Sequence, residues 1–180
     1  MNLLDLWFPI LMAAVFVFVA STFLHMVLPW HRGDMKQLPD EDRVLDALRP
    51  IPPGSYMFPF CSDMKALDTP EMKEKYPRGP VGLLTLLPPG PPKIPKSLLQ
   101  WSLYILLVNL VVAYLASLHF GPQSKEGIFR FTSTAALLAF ALGELPNSIW
   151  KGAPWPTTLR FVVDGVVYAL VSGLAFFLFW

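Results

Sequence analysis

Charge is scarce along most of this 180-residue chain. Asp, Glu, Lys and Arg make up 15% of it, against roughly 25% in an average soluble domain. Of the 27 such residues, 19 lie between Pro29 and Ser97. The net charge of +1 excludes a basic nucleic-acid binder, so no nucleic-acid partner is expected. One cysteine, Cys61, excludes a disulfide scaffold. Helix-borne metal pairs of the His-x-x-x-His or Glu-x-x-His type are missing, as is any nucleophile next to a base. What the chain has in quantity is apolar residues, 54% of the total, which excludes a disordered protein.

Those residues fall in runs of membrane length. A spanning helix needs about 20 mostly apolar residues. Four segments qualify, 6–28, 98–119, 128–150 and 159–179, and none has Lys or Arg in its middle. Unpaired backbone groups in hydrocarbon cost several kcal/mol each, so the segments must be helical. The expected fold is an all-α integral membrane protein: four transmembrane helices, arranged as a four-helix bundle, with a proline-rich, partly structured insert between the first two. Trp7, Trp30, Trp101, Trp150 and Trp180 mark the span ends, where an indole is expected to anchor at the headgroup level.

Basic residues set the expected orientation. Arg32, Lys36, Arg43, Lys93, Lys96, Lys151 and Arg160 flank the spans on one side, and Lys125 and Arg130 on the other. Positive charge concentrates in the cytoplasm. The 29–97 insert is therefore expected inside, with both termini outside, in a multi-pass cell (inner) membrane protein. Asp5 stands where a signal peptide would carry basic residues, so an uncleaved first helix is expected.

The insert holds 14 of the 19 prolines. Proline lacks an N–H and fixes its own φ, so long helices are excluded there. Asp40 is placed to cap a short helix to about Arg49, and Thr69 to cap a second one from Pro70 to about residue 76. Tyr56–Phe60 and Val81–Leu87 read as extended segments able to pair. Gly90–Ser97 approaches a phosphate-binding loop, but Pro95 replaces its second glycine and three of the eight residues lack an N–H. It reads as a stiff spacer.

Ionisable residues inside the spans are the sharpest functional signal, because a charge at that depth costs at least ~2.5–3.5 kcal/mol. Glu144 lies about 9 Å before Trp150 along the helix. Asp164 lies about 6 Å past Arg160. His25 sits five residues before Trp30, and His31 falls just beyond the interface. His25, Glu144 and Asp164 thus form an expected intramembrane polar cluster, able to relay protons or, as weak candidates, to bind a metal. The bland expectation for Asp164 is an i,i+4 ion pair with Arg160. Asn109 is expected to bond between helices. The sequence requires no cofactor.

Spans three and four carry stripes of small residues, Ala135, Ala139 and Gly143, and Gly165, Ala169 and Gly173. Small residues let helices approach closely, so the stripes are expected to meet. If they do, Glu144 and Asp164 point to opposite sides of the pair. A shared carboxylate site requires the stripes to face elsewhere.

Three functions fit. With no catalytic constellation legible, the first expectation is a non-enzymatic accessory or scaffold subunit in the bilayer, bound to another membrane protein or to copies of itself. The second is a homo-oligomeric ion or proton channel or transporter using Glu144 and Asp164. The third is a lipid- or quinone-directed membrane enzyme with a His/carboxylate metal site.

Overall fold

A computed structural model describes residues 3–121 and 125–180. The chain is mostly helical and divides into two compact units, Met1–Asp34 with Lys93–Trp180, and Met35–Pro92.

Among the described residues, the first unit contains four helices long and apolar enough to cross a membrane: Leu3–Val27, Ile94–Ser117, Gly127–Lys151 and Trp155–Phe179. They are called spans one to four below. Span two starts earlier than the apolar run alone implies, because Pro95 stands in the first turn, where its missing N–H costs nothing. Each span packs on two others. Span four lies against three and one, and span two closes the ring against one and three. Val17, Ile105, Ile128, Ala136 and Phe176 are fully enclosed among them.

Span four makes its most extensive contact with span three, and glycine explains the approach. A Cβ at Gly165 would run into the Phe140 carbonyl, and one at Gly173 into Ser133 Oγ. The small-residue stripes do not meet, however. Gly165, Ala169 and Gly173 are buried, whereas Ala139 and Gly143 are exposed and Ala135 is half-buried. On span three the packed face is Phe129, Ser133, Phe140 and Ala141. Close approach needs a missing Cβ on one helix only, and the partner then supplies backbone and larger side chains to the groove.

Asn109 also departs from expectation. Its side-chain amide donates to the Ile105 carbonyl of its own helix, 3.0 Å away, rather than across to a neighbour. Of the tryptophans at the span ends, Trp7 and Trp150 are exposed. Trp101 lies inside span two, two turns past its start, and donates to Ser21 Oγ at 3.0 Å.

The second unit adds a small sheet to the helices, from the two segments read as extended. Strand β1, Gly54–Phe58, pairs antiparallel with β2, Gly82–Leu86, with Tyr56 opposite Leu84. Alternate residues are half-buried along both strands, as a one-faced sheet dictates. A helix over Pro70–Arg78 begins with Thr69 Oγ1 accepting from the Met72 N–H at 3.4 Å. The other helix, Glu41–Leu48, follows Asp40, but Asp40 makes no cap hydrogen bond. Its φ of 51° places it in the left-handed region, and its carboxylate does not reach the first amides.

Candidate functional site

The site begins where span one breaks. Its α-helix widens at Phe23–Val27 into a π turn, in which the Leu28 N–H bonds the Phe23 carbonyl five residues back, at 3.2 Å. Pro29 has no N–H with which to continue. Leu28 turns extended, and Pro29–His31 makes a tight 3-10 turn. On an unbroken helix His25 and His31 would stand about 120° apart around the axis. The break instead stacks their rings, with centroids 4.4 Å apart and planes at 28°.

Span four supplies the third group. Asp164 is 1% exposed. Its Oδ2 lies 2.8 Å from His31 Nε2 and 3.5 Å from His25 Nε2. The Tyr168 hydroxyl, one turn on, lies 3.2 Å from His25 Nε2. His31 Nδ1 meets Asp34 Oδ2 at 2.7 Å, and Asp34 Oδ1 accepts from Arg160 at 3.0 Å. A continuous chain therefore runs Asp164–His31–Asp34–Arg160.

That chain changes the expected pairing. Arg160 binds Asp34, not Asp164, because the turn after Leu28 carries Asp34 back over the start of span four. Burial raises the Asp34 carboxyl, but hydrogen bonds from His31 and Thr157 and the Arg160 charge outweigh it, so the group titrates below its ordinary range. His31 sits between two carboxylates. A neutral imidazole has one N–H and can donate to only one of them. Both contacts become hydrogen bonds when the ring is doubly protonated or when one carboxyl holds the proton.

Beside this cluster lies a cavity of about 570 Å³ with all four spans in its wall. His25, Asp164, Glu144 and Tyr168 give it a polar side, and Phe18, Trp101, Tyr104, Phe140 and Phe161 an aromatic one. Trp101 stacks on Tyr104, with centroids 5.5 Å apart, and meets Tyr168 edge-on. Met26, Leu98, Tyr104 and Phe161 are exposed, so the mouth of the cavity is rimmed by apolar side chains.

Glu144 shares the cavity with Asp164, the outcome expected if the stripes face elsewhere. It is not a member of the tight group. Its Oε2 accepts from Asn147 at 2.8 Å, and Asn147 in turn accepts from Lys151 at 2.9 Å. The histidine–carboxylate group that the fold assembles is His25, His31 and Asp164. His31 was the residue hidden in the sequence. The signal that finds it is Leu28-Pro29, which stops the helix three residues after His25.

No family model matches this chain, and neither a curated protein nor a solved structure matches it.

Proposed function

We propose that the helical unit is a membrane enzyme whose site is this cavity, and that its substrate is an amphipathic, lipid-soluble molecule. One observation carries the reading: a single cavity joins an apolar, aromatic mouth to a polar wall of His25, Asp164 and Tyr168, the last two of them buried. Ligand pockets have this composition, with a mostly apolar lining and a few convergent polar groups. An apolar tail enters past Met26 and Leu98, and the polar head meets His25, Asp164 and Tyr168. There the Asp34–His31–Asp164 chain can deliver or accept a proton, as general acid–base work requires.

The accessory-subunit expectation drew on the absence of a catalytic constellation in the sequence and on an insert too small to stand alone. The assembled His25–His31–Asp164 group favours the enzyme reading over the first of these supports. The ion-path reading keeps one specific support, the placement of Glu144 and Asp164 in one cavity. Against it, Glu144 is engaged by Asn147. We place the insert on the cytoplasmic side of the inner membrane, with both termini outside, on the distribution of Lys and Arg. Impermeant labelling of a cysteine introduced at residue 40, in spheroplasts, tests the orientation. Labelling from outside contradicts it.

The substrate class is tested by mass spectrometry of molecules carried through purification of the full chain in mild detergent. The reading expects one polar-headed, lipid-soluble species at about one per chain, and its depletion in Thr22→Trp, which fills the cavity at an exposed lining position. An unselective lipid mixture, unchanged by Thr22→Trp, counts against it.

A further inference from the structure

We propose that His25, His31 and Asp164 bind one divalent transition-metal ion, with zinc the best fit. The inference rests on the site of the enzyme reading above, and with the ion bound His31 and Asp164 act as its ligands in place of the proton relay between them.

The donors are already gathered. One ring nitrogen of His25, one of His31 and a carboxylate oxygen of Asp164 all lie within 4.8 Å of one another. A tetrahedral ion bound at about 2.0–2.1 Å puts its donors roughly 3.3 Å apart. His25 Nε2 and Asp164 Oδ2 stand 3.5 Å apart, and His31 Nε2 and Asp164 Oδ2 2.8 Å. The His31 and Asp164 donors would have to part by about half an ångström to reach that spacing.

The other Asp164 oxygen is the independent observation. Oδ1 is buried, and it has no hydrogen-bond partner among the described residues. An unpartnered carboxylate oxygen at 1% exposure is costly, and a bound cation relieves the cost. Both imidazole Nε2 atoms converge on the same carboxylate, an arrangement that two hydrogen-bond donors do not require but that shared coordination does.

The outer groups fit as well. A metal-bound histidine usually gives its second N–H to a carboxylate, which fixes the ring and strengthens it as a ligand. His31 Nδ1 has Asp34 Oδ2 at 2.7 Å, and Arg160 holds the other oxygen of Asp34. Asp34 and Arg160 are thus positioning residues. Two imidazoles and one carboxylate suit zinc, and three protein ligands leave a coordination position open. His25 and Asp164 both line the cavity, so the open position faces the head of an entering substrate. An ion there can polarise that head group or bind a water molecule in reach of it.

Metal content of the full chain tests the proposal. The chain is purified in mild detergent with a tag free of histidine, stripped with chelator, and titrated with Zn²⁺ and with Co²⁺ as a spectroscopic reporter. One equivalent is expected to bind, with a visible Co²⁺ spectrum of low-symmetry, near-tetrahedral type. His25→Gln, at a side chain 39% exposed and therefore tolerant of change, is expected to lose binding at least tenfold. Asp34→Asn should weaken it by about 10–100-fold without removing it. His119→Gln, at the third histidine and outside the cluster, should change nothing. Absence of stoichiometric binding in folded wild-type chain overturns the proposal, and so does binding that survives His25→Gln unchanged. Either result leaves the lipid-retention test of the cavity untouched, so the two readings fail separately.

Discussion

Asp164 and His31 are 133 residues apart in sequence, and their side chains meet at 2.8 Å within the helical unit. The contact joins the broken end of span one to the first turns of span four. It stands between the polar wall of the cavity and the Asp34–Arg160 pair.

Arg160→Ala is expected to loosen this end of the unit. The change leaves Asp34, 7% exposed, with a carboxylate facing His31 and no guanidinium. Loss of a hydrogen bond to a charged group costs about 1.5–3 kcal/mol, and the 26% exposure of Arg160 places the loss at the lower end. Thermal unfolding in detergent should show a lower midpoint, with Arg160→Lys recovering part of it. A midpoint equal to wild type would show that the pair adds nothing.

Gly165→Val tests the helix contact. The new side chain meets the Phe140 carbonyl and the Ala141 backbone, neither of which can turn aside. Overpacking typically costs 1–3 kcal/mol. Gly143→Val is the matched control, because nothing lies within 4 Å of a Cβ there. The first variant should fall in abundance and thermal midpoint, and the second should not. Equal behaviour would mean that spans three and four pack on another face.

Much of this was legible in the sequence, and the exceptions have physical causes. The spans were readable because their length and apolar content are set by the bilayer. Thr69-Pro70 was readable because capping is local. Asp40 was not, since the same residue types serve turns and caps, and only its backbone angle decides. The face of span three was also hidden. A stripe of small residues states which surface can be approached closely, not which surface is. The pairing of His31 was lost at Leu28-Pro29, where helical periodicity stops applying.

The insert offers a pH test. Lys75 Nζ donates to Glu71 Oε1 at 2.6 Å, and that hydrogen bond, then the charge of Lys75, hold the Glu71 carboxyl below its ordinary 4.5. A carboxyl lowered by folding stabilises the fold above its unfolded value and loses that contribution as pH falls through the lowered one. Both groups are exposed, so the effect is small. Hydrogen exchange over residues 69–79 should quicken as pH drops below about 4.5, after correction for the intrinsic rate. In Lys75→Met this extra dependence should be reduced. Thr69→Ala should quicken exchange at all pH values, at a cost of about 1 kcal/mol. Exchange that is the same in Lys75→Met and wild type across this range would contradict the account.

Glu144→Gln separates an enzyme from an ion path. Its Oε2 accepts from Asn147, and the side-chain carbonyl of Gln can accept in the same place. The protein is expected to accumulate and assemble as wild type does. Proteoliposomes of both should pass no ions above the lipid background. A flux in wild type that Gln abolishes would move the function to the channel or transporter class.

The central claim is that the cavity holds one kind of lipid-soluble molecule. Phe140 is 5% exposed and lines it, so a photoreactive azido-phenylalanine at this position samples the interior rather than the bilayer. Leu138, 62% exposed and outside the cavity lining, serves as the comparison. Irradiation in native membranes, followed by mass spectrometry of the modified peptide, reads what lies beside each residue. The account predicts a single amphipathic adduct at 140, distinct from the mixed membrane lipids captured at 138. The same lipid mixture at both positions, or only links to other parts of the chain at 140, would contradict it.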